Sequence, residues 1–383
     1  MNEHLSDNEL IKLIQSVFSL KPRDRKLAIL VDIPRSPETD NPEWKKRREL
    51  AFQWTGILQG NLKKLPLEAV TLLTYGDVGS NNADLPETAY ITPASPVIHE
   101  ASHLTPLPSL SFDAVFSEYQ VFLAPTEYST TAPLKNAARR FPVRAATMPG
   151  FSTEMIPALR IDYQEVNRRC QVLKELVDPA HGASVTFEVD KRIRYQTFFD
   201  LRYRTAHTSS GRFPDPGVAG NLPSGETYIV PYEGECDIPS QTSGLLPVQI
   251  GDSMLIFTIK ENKAIFVDGE GAALQDERDH LARVPAYGNM AELGFGVLSD
   301  FGLSPINEIL LDEKLGFHVA FGRSDHFGGQ VSPAQFPSAA DVIHLDRIYI
   351  PSTQPRIVVS QLFFHYADNR KTEIIKDGAY TIF

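Results

Sequence analysis

Hydrophobic positions in the first half of the chain recur at three and four residues in some segments and run together in others. Leu10, Ile11, Leu13, Ile14, Val17 and Phe18 share one face of a helix for which Asp7 is the expected cap, and the run Leu27 to Ile33 reads as a buried strand ended by Pro34. A helical stretch from Trp44 to Leu58, a strand Ala69 to Thr74, a strand Val121 to Ala124, a helix near Thr131 to Arg140 and a strand Val143 to Thr147 repeat the alternation. Strand, helix, strand in this order predicts an α/β layer built on a largely parallel sheet. The Pro-, Ser- and Asn-rich stretch Asp77 to Pro108 reads as a long surface loop.

A charged amphipathic helix from Asp162 to Val177 precedes a change of texture. Beyond Ala183 the pattern becomes β-rich, with strands expected over Val185 to Val189, Gln196 to Tyr203, Thr227 to Val230, Met254 to Ile259, Ala264 to Val267, Val319 to Phe321, Ile348 to Ile350 and Ile357 to His365. One helix, Ala273 to Ala286, interrupts them. The expected organisation is an α/β N-terminal domain over residues 1–183 and a β-rich α+β domain over residues 184–383.

With 37 Lys and Arg against 48 Asp and Glu, the net charge of −11 leaves no basic field to hold phosphates, so nucleic acid and anionic membrane are not expected partners. The four-residue run Lys45-Lys46-Arg47-Arg48 reads as the solvated face of one helix. No apolar run approaches the roughly 18 residues of a membrane helix, and Glu3 and Asp7 stand where a signal peptide would be basic, so a cytoplasmic chain is expected. Cys170 and Cys236 have no CxxC spacing and read as reduced, structural thiols. GxGxxG and GxSxG are both missing, which removes the sequence grounds for a dinucleotide site or a serine hydrolase.

Chemistry concentrates in the second half, in segments whose glycines suggest turns. Glu226 follows Asn221-Leu222-Pro223-Ser224-Gly225, Glu292 lies in Ala291-Glu292-Leu293-Gly294-Phe295-Gly296, and Glu313 and His318 flank Gly316. His344 and Asp346 form an i, i+2 pair whose side chains share one face if the segment is extended. Carboxylates with imidazoles are the ligand set of divalent Zn, Mn, Co or Fe, and several carboxylates with one or two imidazoles can hold two cations. Each element has a bland reading too. His318, between Phe317 and Val319, could be a core histidine; Asp325 could cap a turn or pair with Arg323; His207 and Arg212 read as part of a flexible connection, and His365 as packing.

In order and wording these segments resemble the thermophilic metallopeptidases of the aminopeptidase T and aminopeptidase S type. The resemblance rests on Asn221 to Glu226 with Pro231 to Gly234, Phe266-Val267-Asp268-Gly269, Glu292 and its glycines, Asp312-Glu313-Lys314 with Gly316 and His318, and His344-Leu345-Asp346. It implies two divalent cations, Zn, Co or Mn, held by Glu226, Glu292, Glu313, His318, His344 and Asp346. It also implies a homodimer and removal of N-terminal residues from peptides, with Glu292 or Glu313 as general base.

Two departures bear on the chemistry. The family's tyrosine beyond the ligand histidine is missing from Gly322-Arg323-Ser324-Asp325-His326-Phe327-Gly328-Gly329, which leaves His326 as the expected hydrogen-bond donor or leaves catalysis impaired. Phe317 replaces a small hydroxylated residue, which predicts a narrower pocket, and the extra stretch Pro333 to Asp341 could reshape its mouth. The Phe-Gly-Gly wording is similar to the related 2,5-dihydroxypyridine dioxygenases, for which His318, His344 and Asp346 would hold one Fe(II). A peptide-binding protein without turnover is the third reading.

Overall fold

The computed structural model describes residues 4–383. Numbered along the chain, its strands are β1 Lys26–Ile33, β2 Ala69–Gly76, β3 Thr88–Thr92, β4 Ser109–Ser111, β5 Val121–Ala124, β6 Arg144–Thr147, β7 Ala180–Val189, β8 Ile193–Asp200, β9 His207–Ser209, β10 Val218–Asn221, β11 Glu226–Ile229, β12 Ser243–Ile250, β13 Ser253–Lys260, β14 Lys263–Glu270, β15 Met290–Gly296, β16 Phe317–Gly322, β17 His344–Ile348, β18 Ile357–Tyr366, β19 Lys371–Lys376 and β20 Ala379–Tyr380. The chain divides into two compact units, one holding residues up to Asn167 with Gly211–Ser224, the other Arg168–Ser210 with Gly225–Phe383. Residue 183, the expected boundary, falls inside β7, a strand of the second unit.

In the first unit a seven-stranded sheet runs β10-β6-β5-β1-β2-β3-β4, parallel from β10 to β2 and antiparallel at β3 and β4. Its α/β character follows the predicted alternation, with Leu30, Phe122, Val115 and Leu134 from strands and helices fully buried together. Two details differ from expectation. The Asp77 to Pro108 stretch is not all loop: Thr88–Thr92 pairs with β2 and buries Ala89, a short β-forming segment hidden by its Pro- and Ser-rich flanks. Ser6, not Asp7, caps the first helix, through a reciprocal capping box with Glu9.

Between β1 and β5, where successive connections diverge to opposite sides of the sheet, α/β proteins usually leave a ligand crevice. Here the chain fills it. The buried Asp32 carboxylate accepts the backbone N–H of Glu127 at 2.9 Å, that of Tyr128 at 3.0 Å and the Trp44 indole N–H at 3.1 Å. The basic run beside it is a solvated face only in its first half: Lys45 and Lys46 are exposed, but Arg47 and Arg48 are buried, Arg47 paired with Glu127 and Arg48 bidentate to Asp40 at 2.9 and 2.6 Å. Burial with a carboxylate partner, rather than solvent, accommodates those two charges.

The second unit is two antiparallel sheets, an eight-stranded one in the order β14-β13-β12-β8-β7-β18-β19-β20 and a five-stranded one in the order β17-β16-β15-β11-β9. Aromatic rings join them: Phe317 meets Phe187 at 6.4 Å, Phe295 meets Phe364 at 5.5 Å and Phe321 meets Phe257 at 5.1 Å between centroids. Those three residues, with Leu293 and Val319, form the inner face of the smaller sheet by strand alternation. Everything on its other face is therefore free to be something other than core.

Candidate metal centre

That other face carries five of the six candidate ligands, on strands rather than in turns, while Glu313 alone lies in a short helical turn. Registers align Glu226 with Gly296, Tyr228 with Gly294 and Gly294 with His318, while Glu292 faces Ala320 and Ala320 faces Asp346; Gly322 faces His344. Partners directly opposite in an antiparallel pair point to the same side. One face thus reads Glu226 and Tyr228 on β11, Glu292, Gly294 and Gly296 on β15, His318, Ala320 and Gly322 on β16, and His344 and Asp346 on β17. The glycines expected to make turns have another use. A Cβ at Gly294 would run into the His318 imidazole, and one at Gly296 into the Glu313 and Lys314 backbone. Each strand-borne ligand is registered opposite a small residue on the next strand, and at Gly294 the reason is direct, since the His318 ring lies over it.

Glu292 is the hinge of the arrangement. Its Oε1 lies 3.5 Å from His318 Nε2 and its Oε2 3.2 Å from His344 Nε2. Glu226 Oε2 is 3.7 Å from His318 Nε2, and Asp346 Oδ1 is 3.7 Å from His344 Nε2. Two groups result, Glu226–Glu292–His318 and Glu292–His344–Asp346, each with donor atoms within 4.8 Å of one another. Donors about 2.0–2.2 Å from a shared tetrahedral ion stand roughly 3.3–3.6 Å apart, so the spacing suits a divalent cation.

Three further observations fit a cation. Glu226 Oε2, His318 Nε2 and Asp346 Oδ1 are buried without a hydrogen-bond partner, an expensive condition unless something else satisfies them. His318 Nδ1 is 3.2 Å from the Gly316 carbonyl and His344 Nδ1 is 2.8 Å from the Arg323 carbonyl, which places the N–H on Nδ1 and turns each Nε2 lone pair toward the carboxylates. Without a cation the site strains its own protonation. Burial opposes charge on the imidazoles, yet Glu292 and its neighbours raise His318 to about 10 and His344 to about 9. Burial pushes Glu226 up to about 7 and, with Glu313 beside it, Asp346 up to about 6; burial works against Glu292 too, but the two imidazoles hold it below the usual carboxylate range.

The remaining predicted residues stand at the margin. Glu313 belongs to neither group; it is ion-paired with Lys314, whose buried ammonium also donates to Glu226 Oε1 at 2.6 Å. His326 is at the rim, its ring 5.1 Å from that of His344 and its side chain 34% exposed, and burial followed by the His344 charge lowers it to about 4. Asp325 pairs with Arg323 at 2.5 Å, one of the two bland readings. The expectation that Phe317 narrows the pocket is incorrect: it alternates away from His318 and packs against Phe295 at 5.7 Å and Tyr349 at 5.8 Å on the inner face.

Three residues escaped the sequence reading. Tyr228, two residues beyond Glu226, stands on the ligand face, and burial together with Glu292 and Glu226 raises its phenol above the usual range. His207, expected in a mere connection, is on β9 opposite Tyr228 and stacks on it at 5.4 Å. Glu233 accepts from Asn289 Nδ2 and Ser324 Oγ at 2.7 Å each and from the Gln330 N–H at 2.5 Å, pinning the loop that carries Arg323 and His326. The phrase Glu226-Thr227-Tyr228 held a legible signal for the first: i and i+2 on a strand share a face.

Fold and site together define a two-unit α/β and antiparallel β protein with a carboxylate–imidazole cluster fit for divalent metal. Solved structures of similar fold include the 2,5-dihydroxypyridine dioxygenase of Pseudomonas putida KT2440, with a TM-score of 0.57, 14% identity, and 98% of each chain covered. They also include wild-type AmpT of Thermus thermophilus, with a TM-score of 0.55 and 13% identity over 98% of this chain and 99% of that one. At such identities the likeness establishes the fold. No family model matches the chain, and neither does any curated protein. Among the described residues no helix is long and apolar enough to cross a membrane.

Proposed function

We propose that the chain is a metal-dependent hydrolase that removes N-terminal residues from peptides, using a two-cation site. The observation that carries this reading is the division of Glu292 between two imidazoles, Oε1 toward His318 and Oε2 toward His344, so that one carboxylate serves two three-residue groups. A bound divalent pair would lower the pKa of water and polarise a peptide carbonyl. Glu226, Glu292, His318, His344 and Asp346 would hold it. Glu292, with both oxygens engaged, is a poor proton acceptor. Glu313 lies outside both groups but close enough to raise Asp346 and Glu226, and serves as general base in this reading. Tyr228 supplies the phenol that the His326 loop lacks, and His326, neutral at pH 7, orients the substrate at the rim. A homodimer belongs to the same proposal.

One observation favours a second reading, a mononuclear Fe(II) ring-cleaving dioxygenase: Lys314 already engages one oxygen of Glu226, which suits a single ion in the Glu292–His344–Asp346 group, with Glu292 in the place expected for His318, which belongs to the other group. Metal analysis and turnover separate the two. The hydrolase reading expects close to two equivalents of metal per chain, cleavage of aminoacyl reporter substrates with added Zn, Mn or Co, and loss of cleavage in Glu292→Ala. One equivalent of iron with oxygen consumption on hydroxylated pyridines would replace it by the dioxygenase. Peptide binding without turnover and indifferent to chelator would replace both.

A further inference from the structure

The two halves of the cluster differ in one charge. In the Glu292–His344–Asp346 group, His344 meets the rim rings of His326 and Phe327, with centroids 5.1 and 5.3 Å from its own, and the charge that bears on Asp346 from outside the two groups is the negative one of Glu313. In the Glu226–Glu292–His318 group, Glu226 is shared with an ammonium: Lys314 Nζ stands 2.6 Å from its Oε1, and only Oε2 is left unpartnered. Lys314 is almost fully buried, its side chain 2% exposed, and cannot swing into water while the sheet is intact. Its backbone is fixed as well. Leu298 donates to the Lys314 carbonyl at 2.8 Å, and the peptide lies so close to Gly296 that no Cβ fits between them. Burial disfavours the ammonium, but Glu226 and Glu313 outweigh it and keep it charged.

Resting on the metal reading given above, we propose that the two cation positions are unequal: the His344 position fills first and tightly, while Lys314 keeps the Glu226 position weak. Charge explains the order. A divalent cation entering at Glu226 Oε2 meets a positive charge fixed on the other oxygen of the same carboxylate, in a site with little water to screen it. Lys314 also restricts Glu226 to one-oxygen ligation, whereas Glu292 and Asp346 meet no ammonium. The protein thus holds one resident cation and takes up the second only when supply is ample, so occupancy of the Glu226 position follows free metal. Glu313, on the other side of Lys314, draws part of the ammonium's charge, and its removal should weaken the second position further.

The test is a titration of the chelator-stripped full-length chain with Zn(II) alone, read by competition with a chromophoric chelator, and with Co(II) alone, read by visible absorption. The expected result is two events, the second at least tenfold weaker, a gap of about 1.4 kcal/mol or more. Asp346→Asn should weaken the first event at least tenfold, Glu226→Gln should remove only the second, and Lys314→Met should narrow the gap at least tenfold. Two equal events in the unaltered chain, a Glu226→Gln protein that loses the first event, or a folded Lys314→Met protein with an unchanged gap would each overturn the inference. If Lys314→Met does not fold, the Asp346→Asn and Glu226→Gln pair still decides it. Unequal binding without cleavage of aminoacyl reporters would refute the hydrolase and leave this inference standing; equal binding with cleavage would do the reverse.

Discussion

Gly294 is where the relation of sheet to site can be broken by one methyl group. Its Cβ position in an alanine variant coincides with the His318 imidazole, which is wholly buried in a strand flanked by β15 and β17 and held by its Nδ1 contact to Gly316 at 3.2 Å. Neither the backbone of β15 nor the ring can yield without cost. Overpacking of this kind costs about 1–3 kcal/mol. For a unit of roughly two hundred residues each kcal/mol is worth about 2–4 °C, so Gly294→Ala should melt roughly 2–12 °C lower. It should also lose the Glu226–Glu292–His318 position, because the displaced ring no longer presents Nε2 to Glu292 Oε1. Metal content at saturating Zn(II) and a thermal melt read both effects. Gly60→Ala is the control: at the end of a helix, with nothing within 4 Å of a new Cβ, it should gain about 0.4–1 kcal/mol. A Gly294→Ala protein with unaltered melting and full metal content would refute the argument that this residue is small to seat His318.

Other residues give sharper readings of the chemistry. Tyr228→Phe should leave metal content unchanged and lower kcat about 10²- to 10³-fold, the usual loss of one transition-state donor, measured on an aminoacyl reporter. Glu313→Gln should lower kcat about 10²- to 10⁴-fold on the same reporter. Glu233→Ala leaves Ser324, Asn289 and the Gln330 N–H without their acceptor while Arg204 keeps Glu235, so urea unfolding should show a loss of about 1–3 kcal/mol. In the metal-free protein, His318 and His344 are raised to about 10 and about 9, above their ordinary 6.5. Their contribution to stability is therefore complete below pH 6.5 and disappears as pH rises through 9 and 10. Metal-free melting temperatures should fall across that window, and added Zn(II) should flatten the fall by displacing both protons; a rise with pH in the metal-free protein would contradict the assigned charges.

How much of this was legible depends on which physical signal each residue leaves in the chain. The parallel sheet was readable because Leu27–Ile33 and Val121–Ala124 are continuous apolar runs between helical periods, the signature of strands buried on both faces. β10 was not, because Val218–Asn221 joins the first sheet after the chain has already contributed β7 to β9 to the second unit, and nothing local announces a return. All five residues of the two donor groups stood among the sequence candidates, yet their setting was misread. Gly294 and Gly296 suggested turns, whereas Glu292 to Gly296 and Phe317 to Gly322 alternate bulky with small or ionisable residues at period two. That alternation by itself separates an aromatic face from a ligand face. Lys314 could not have been found so: its role depends on a 2.6 Å approach to Glu226 across 88 residues of chain, set by the packing of the Glu313 turn against Gly296. The residue that decides how the site is charged is thus the one whose placement is purely tertiary, which is why the donor set was open to sequence reasoning and the inequality of its two halves was not.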